Sequence, residues 1–184
     1  MADRKEFEAE ALPHATALYR AAMAMCRRPA LAEDLVQTTL VKALRRFGTF
    51  RSGSNCKAWL MRILHNTWVD YLRHRKVVGP TVPVEEQLLA GDDGQDETHW
   101  SDPHDLLENF SDEQVIQALA ELPDEQRITL FLSDVEDLSQ EEIAEITGVA
   151  VGTVKSRTSR ARGVMREKLH QYAVEMGLAG RREF

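Results

Sequence analysis

The stretch LSQEEIAEITGVAVGTVKSRTSRAR, residues 138–162, determines how the rest of the chain is interpreted. Ser139 and Glu142 have the spacing of a capping box, which marks the first turn of a helix. That helix is expected to end before Gly148, because Gly tolerates the left-handed backbone found after helix ends. After a short turn, a second helix is predicted to begin near Val151. Two helices joined by a turn that contains Gly form a helix-turn-helix motif.

The second helix of this motif has an apolar side and a polar side. At about 100° per residue, one arc holds an apolar stripe made of Val154, Thr158, Ala161, Met165 and Leu169. The opposite arc and its flanks hold the candidate DNA-binding residues, which are Thr153, Lys155, Ser156, Arg157, Ser159, Arg160 and Arg162. Short polar groups and a long Arg suit contacts with base edges, and flanking cations suit phosphates. A solvated basic face is the alternative, but the capped helix and the Gly turn before it favour DNA binding.

The charge of the chain is distributed unevenly. The net charge is −7, yet residues 77–108 alone contain nine Asp or Glu and neither Lys nor Arg. This segment is also rich in Gly and Pro, a composition typical of a flexible linker. Residues 5–76 and 109–175 on either side have helical apolar periodicity. The sequence therefore predicts an all-α protein with two small helical domains joined by an acidic linker.

A second candidate surface for nucleic acid lies in the N-terminal domain. Lys57, Arg62, Arg73 and Arg75 are interleaved with aromatic residues, a mixture that suits single-stranded nucleic acid. The alternative is that Trp59 and Trp68 belong to the core; we expect this of at least one. Asn66 is ambiguous, because its amide could cap a helix that restarts there or hydrogen-bond a displaced base. The helix around it either continues or breaks briefly at residues 65–66.

Several classes of protein are disfavoured. No stretch is apolar enough to span a membrane, and the N-terminus does not resemble a signal peptide, so we expect a cytoplasmic protein. Cys26 and Cys56 are expected to be small core side chains, with a redox switch as a minor alternative. The sequence contains no zinc-ligand spacing and no GxSxG, HExxH or P-loop motif. We therefore expect no catalytic residues, metal or cofactor, and we disfavour a recombinase or nuclease with a DNA-binding appendage.

Four stretches in a fixed order resemble the bacterial RNA polymerase sigma factors of the extracytoplasmic-function (ECF) group in the sigma-70 family. They are AEDLVQTTLVKALRRF (32–47), FRSGSNCKAWLMRILHNTWVDYLRHR (50–75), LPDEQRITLFL (122–132) and LSQEEIAEITGVAVGTVKSRTSRAR (138–162). The resemblance implies that the N-terminal domain is sigma region 2 and the C-terminal domain is sigma region 4. It also implies a promoter-specificity subunit without catalysis of its own.

The resemblance assigns expected roles to the candidate residues. Asp34, Gln37, Lys42 and Arg45 would bind the clamp helices of core RNA polymerase. Lys57, Arg62, Asn66, Arg73 and Arg75 would recognise and melt the minus-10 element, with Asn66 at a loop position that holds a flipped base. The candidates on the helix-turn-helix would read the minus-35 element.

Partners also follow from the resemblance. Region 4 would meet the polymerase flap, the linker would thread toward the RNA exit path, and an anti-sigma factor would restrain the protein. The alternative is a helix-turn-helix regulator that acts without binding polymerase and uses residues 1–76 to dimerise.

Overall fold

The computed structural model describes residues 2–51, 53–78 and 113–175, which contain helices and no strand. Within these described ranges lie the α-helices α1 (Ala2–Ala11), α2 (Ala15–Cys26), α3 (Pro29–Arg46), α4 (Cys56–Val78), α5 (Glu113–Ala120), α6 (Asp124–Asp134), α7 (Gln140–Thr147) and α8 (Val151–Glu175). Single 3-10 turns follow α1 and α3. The all-α prediction is confirmed. Most of the predicted linker lies outside the described residues, apart from its first residues, which belong to α4.

The N-terminal half is built around α2, α3 and α4. Leu18, Leu60, Met61 and Leu64 are fully buried between these helices. Complete burial of such a side chain stabilises the fold by about 1.5–3 kcal/mol, so this apolar contact holds the three helices together.

Pro29 begins a helix in this half. Helix α2 already ends at Cys26, because Arg27 adopts a left-handed backbone with φ of 53°. Pro29 then occupies the first turn of α3, where the missing backbone N–H has no helical partner to lose.

Helix α4 is a single continuous helix. Asn55 caps it, since the Asn55 side-chain oxygen accepts a hydrogen bond from the backbone N–H of Ala58 at 3.1 Å. The helix then runs for 23 residues to Val78, a length of about 35 Å. The possible break at residues 65–66 is therefore absent.

The C-terminal half contains the predicted helix-turn-helix. Ser139 and Glu142 form both hydrogen bonds of a capping box, and Gly148 ends α7 with φ of 71°. Helix α8 starts at Val151, as predicted. Val154 and Ala161 on α8 are completely buried against the preceding helices. Both helices of the motif and its turn are thus confirmed to within about a residue.

The two halves are packed against each other. A single apolar cluster contains Leu18 and Met61 from the N-terminal half and Phe131, Leu138 and Ile143 from the C-terminal half. Helix α2 contacts α6, and α4 contacts α7. In the described ranges, no helix has both the length and the hydropathy needed to cross a bilayer.

Candidate nucleic-acid interface

Helix α8 presents one polar side to solvent from a firmly packed position. Its predicted apolar stripe is buried at Val154, Thr158, Ala161 and Met165 and half-buried at Leu169. The side chains of Lys155, Ser159 and Arg160 are exposed on the other side. Because the stripe fixes the rotation of the helix, these three side chains are held at the surface of the motif.

Thr153 and Ser156 are less accessible than their place on the polar arc predicted. Both are half-buried. The Ser156 hydroxyl donates to the backbone carbonyl of Thr153 at 3.0 Å, which ties it to the first turn of α8. These two candidates therefore lie at the edge of the exposed surface.

Two of the α8 arginines are paired with acids on α6. Arg157 binds Glu125, and Arg162 donates to both carboxylate oxygens of Asp134, at 2.6 and 2.9 Å. The hydrogen bond from Arg162 lowers the pKa of Asp134, and the same contact raises the pKa of Arg162. These pairs fix the two guanidinium groups along the flanks of α8. Among the described residues, Arg160 has no such acidic partner.

The candidate minus-10 residues on α4 divide between two sides of the helix. Arg62, Asn66 and Arg73 are exposed and lie within an arc of about 40° at 100° per residue. Lys57 and Arg75 lie on a different side, more than about 120° away from that line. Arg75 is exposed, whereas Lys57 is half-buried against the C-terminal half. The structure therefore brings together three of the five candidates.

The expected loop position of Asn66 is wrong. Asn66 lies in the middle of α4, where the helical backbone continues without interruption, so it caps no helix. Its side chain is nevertheless exposed, on the side of α4 that faces away from the core.

The aromatic residues of α4 mostly belong to the core. Trp68 is 8% exposed and stacks on Tyr71, with ring centroids 5.5 Å apart. Trp59 is half-buried and packs beside Phe50 and Phe47, at centroid distances of 5.1 and 6.4 Å. At about 100° per residue, Trp59 lies on the same side of α4 as Arg62 and Asn66, whereas Trp68 lies on another side.

Helix α3 has an exposed side that combines polar and apolar residues. Asp34, Gln37 and Arg45 are exposed, as the sequence predicted. Val41 and Leu44 lie among them and are 49% and 43% exposed, which makes this side chemically suited to a protein partner.

The remaining candidate on α3 has a different environment. Lys42 is half-buried and points to α4, with its Nζ 3.2 Å from the Thr67 hydroxyl and 3.6 Å from Asp70. This side chain braces the two helices and is not part of the exposed surface.

Neither cysteine has the environment of a reactive thiol. Cys26 and Cys56 are buried free thiols, and burial raises the pKa of each. A raised pKa keeps a thiol protonated and poorly reactive. In the described part of the chain, no group of three or more His, Cys, Asp or Glu residues could hold a metal ion.

Sequence reasoning missed the polar contacts between the two halves. Glu136 is buried and binds Arg20 and Lys57, and Asn55 binds Glu142 at 2.6 Å. Arg127 is buried as well, and its Nε donates to the carbonyl of Ala24 at 2.7 Å. The partners are far apart in the chain, so no local spacing indicates these contacts.

Family models match both halves of the chain. "Sigma-70 region 2" matches residues 12–77, and "Sigma-70, region 4" matches residues 112–165. The relatives include the ECF RNA polymerase sigma factor EcfG of Rhodopseudomonas palustris, which is 38% identical over 76% of this chain and 71% of its own. RNA polymerase sigma factor SigV of Bacillus subtilis is 33% identical over 85% of this chain and 86% of its own.

A solved structure agrees with these sequence relatives. The sigma factor RpoE of Bartonella quintana, in complex with the anti-sigma factor NepR, is 32% identical and superposes with a TM-score of 0.67. The match covers 90% of this chain and 98% of RpoE. The chain belongs to the sigma-70 family of RNA polymerase sigma factors. Within that family it is an ECF sigma factor, a promoter-specificity subunit of RNA polymerase.

Proposed function

We propose that this sigma factor binds core RNA polymerase through α3, reads the minus-35 element with α8 and recognises the melted minus-10 element with α4. The observation that supports this best is the helix-turn-helix, whose packed stripe leaves Lys155, Ser159 and Arg160 exposed on one side of α8. We take region 2 as residues 5–76, the linker as 77–108 and region 4 as 109–175.

The residues of α8 have distinct proposed roles at the minus-35 element. Arg160 reaches a base edge, because it is exposed and no acid of the described chain competes for it. Lys155 contacts a phosphate. Arg157 and Arg162 contact phosphates at the flanks, each held in position by an acid of α6. Thr153 and Ser156 help to fix the position of the first turn near the DNA.

The outer side of α4 is the proposed surface for the minus-10 element. Arg62 and Arg73 follow the backbone of the melted strand, and the Asn66 amide between them both donates and accepts hydrogen bonds with an unpaired base. Trp59 lies beside this line and supplies the edge of an aromatic ring. Arg75 extends the cationic surface toward the end of the helix.

Helix α3 is the proposed docking surface for the polymerase clamp helices. Asp34, Gln37 and Arg45 surround the exposed Val41 and Leu44. An apolar centre with a polar rim is the arrangement of protein interfaces. Lys42, also on α3, supports this surface through its contacts with Thr67 and Asp70 on α4, and region 4 contacts the polymerase flap.

Two further proposals concern regulation and location. An anti-sigma factor restrains this protein; the complex of RpoE with NepR supports this. The acidic linker follows the RNA exit path, where its charge resembles that of nucleic acid. The protein acts in the cytoplasm, where bacterial transcription takes place.

Run-off transcription tests this function. Purified bacterial core polymerase is mixed with genomic DNA fragments, with and without the chain. The expected result is a set of discrete transcripts that require both components. Two variants on the same helix form a matched pair. Arg160→Ala should lower the amount of transcript, and Arg166→Ala should leave it unchanged. If start sites are the same with and without the chain, the proposal is wrong. If the chain alone also binds duplex DNA tightly, the helix-turn-helix regulator alternative is favoured.

A further inference from the structure

The strongest polar contact between the two halves is centred on a buried carboxylate. Glu136 follows α6 and is 2% exposed. Its Oε1 accepts hydrogen bonds from Arg20 Nη2 and Nε on α2, at 3.0 and 3.3 Å. Lys57 on α4 lies 3.5 Å from Oε2 and also donates to the Glu136 backbone carbonyl. One acid of region 4 is thus enclosed by two cations of region 2.

Further hydrogen bonds cross the same boundary. Arg127 donates to the carbonyl of Ala24 at 2.7 Å, and Arg27 donates to the carbonyl of Ala120 at 3.2 Å. Asn55 donates to Glu142 at 2.6 Å. Partial burial raises the pKa of Glu142, but its hydrogen bonds outweigh this effect and the pKa lies below the usual value.

This docked arrangement does not match the distance between two promoter elements. From minus-10 to minus-35 is 25 base pairs, or about 85 Å at 34–36 Å per turn of 10–10.5 base pairs. In the docked state, however, α4 and α7 touch through Asn55 and Glu142, and α8, with 25 residues, is only about 37 Å long. The two halves must separate before α4 and α8 reach both elements together.

The length of the connection allows such a separation. Residues 79–112 number 34, and a chain of that length reaches at most about 110–120 Å. Separation removes Glu136 from its two cations. Opening lets water solvate all three charges, whereas a docked chain without the Glu136 charge would keep Arg20 and Lys57 partly buried and unpaired, which is costly. The intact contact therefore favours the docked state.

We propose that the docked halves are an autoinhibited state of the free sigma factor and that Glu136, between Arg20 and Lys57, is its latch. The docking of the halves does not depend on the proposed function; only its consequence, the suppression of promoter binding, rests on that function. In the docked state Glu136 and Glu142 hold Lys57 and Asn55 at the start of α4, so promoter binding is suppressed because the two elements require the halves to separate. Polymerase and DNA bind the open chain, so the closed population lowers their apparent affinity.

The test measures the distance between the halves directly. Spin labels or fluorophores are attached at Arg46→Cys on α3 and Glu145→Cys on α7, both exposed positions. The two native cysteines are buried. Wild type should give a short distance. Glu136→Gln should raise the ratio of open to closed chain about tenfold. Glu141→Gln, which removes an exposed acid from α7, should leave that ratio unchanged.

A second variant, in region 2, controls for the case in which Glu136→Gln misfolds region 4. Arg20→Met removes a latch partner from the other half and should also favour the open chain, and the double variant should add little to the larger single effect. A tenfold higher open fraction should tighten binding to core polymerase by up to tenfold. A long distance in wild type, or equal distances in Glu136→Gln and Glu141→Gln, would overturn the latch. Opening without any promoter-dependent transcription would support the latch and contradict the proposed function instead.

Discussion

The two long helices that we propose as nucleic-acid surfaces, α4 and α8, differ in what already binds their polar residues. The arginines at the flanks of α8 pair with acids of α6, within the same half of the molecule. The N-terminal residues of α4, Asn55 and Lys57, instead bind acids of the other half. The flanks of α8 are therefore fixed within their own half, whereas the start of α4 is held by the other half. Docking therefore restrains the start of α4 more than it restrains α8, although Arg62, Asn66 and Arg73 stay exposed.

The largest expected effect concerns the residue that supports both halves. The guanidinium of Arg127 is 4% exposed and donates to the carbonyls of Ala24 and Leu122 and to Asp124. Arg127→Met should lower the free energy of unfolding by about 2–4 kcal/mol, because two carbonyls lose their partner. Urea unfolding followed by circular dichroism measures it. A loss below about 0.5 kcal/mol would mean that α6 is held against α2 without this residue.

Arg160→Ala tests the duplex-reading side of the comparison. It should weaken binding of the holoenzyme to its promoter by about 1–3 kcal/mol, because a base contact is lost. Its binding to DNA with an altered minus-35 element should be almost unaffected, as should the fold. Filter binding on both DNAs at one salt concentration measures this. An equal loss on both would identify a phosphate contact instead.

Local sequence signals predicted α8 far better than α4. The capping box of Ser139 and Glu142 and the turn at Gly148 act within a few residues, so the ends of the helix-turn-helix could be read directly. Whether α4 breaks at Asn66 depends on how α4 packs along its whole length, and polar residues alone do not decide it.

No local sequence pattern predicts the contacts between the two halves. Arg20 and Glu136 are 116 positions apart, and neither belongs to a recognisable motif. The candidate role of Lys57 was assigned from its charge, and only the folded chain reveals that an acid of region 4 binds it. Burial of Lys42 against Thr67 likewise depends on how α3 and α4 cross.

Asn66→Ala tests the melting side of the comparison. Loss of one hydrogen bond to an unpaired base should weaken open-complex formation by about 0.5–1.5 kcal/mol. Binding to core polymerase should stay the same, because Asn66 is not on α3. Competition for core polymerase and the rate of permanganate reaction in the minus-10 region measure the two steps. Equal impairment of both steps would contradict the assigned role.

The two halves should also respond differently to acid. Burial lowers the pKa of His65 on α4 below its usual 6.5. The unfolded chain therefore binds the proton more readily, and the free energy of unfolding should fall as the pH drops below about 6.5. In the C-terminal half, the hydrogen bond from Arg162 lowers the pKa of Asp134 below its usual 3.8. The contribution of this pair to the free energy of unfolding is therefore present above about pH 3.8 and lost only below it. His65→Gln should flatten the slope just below about pH 6.5; an unchanged slope would show that other groups cause it.

The most direct test of the central claim, that α4 and α8 act together on two separated elements of one promoter, is a combined footprint. Hydroxyl-radical protection and permanganate reactivity are recorded on one promoter fragment with the chain alone, core polymerase alone and both together. We predict protection at minus-35 and reactive thymines at minus-10 only when both are present. Protection by the chain alone that core polymerase leaves unchanged, with no reactive thymine at minus-10, would contradict the account.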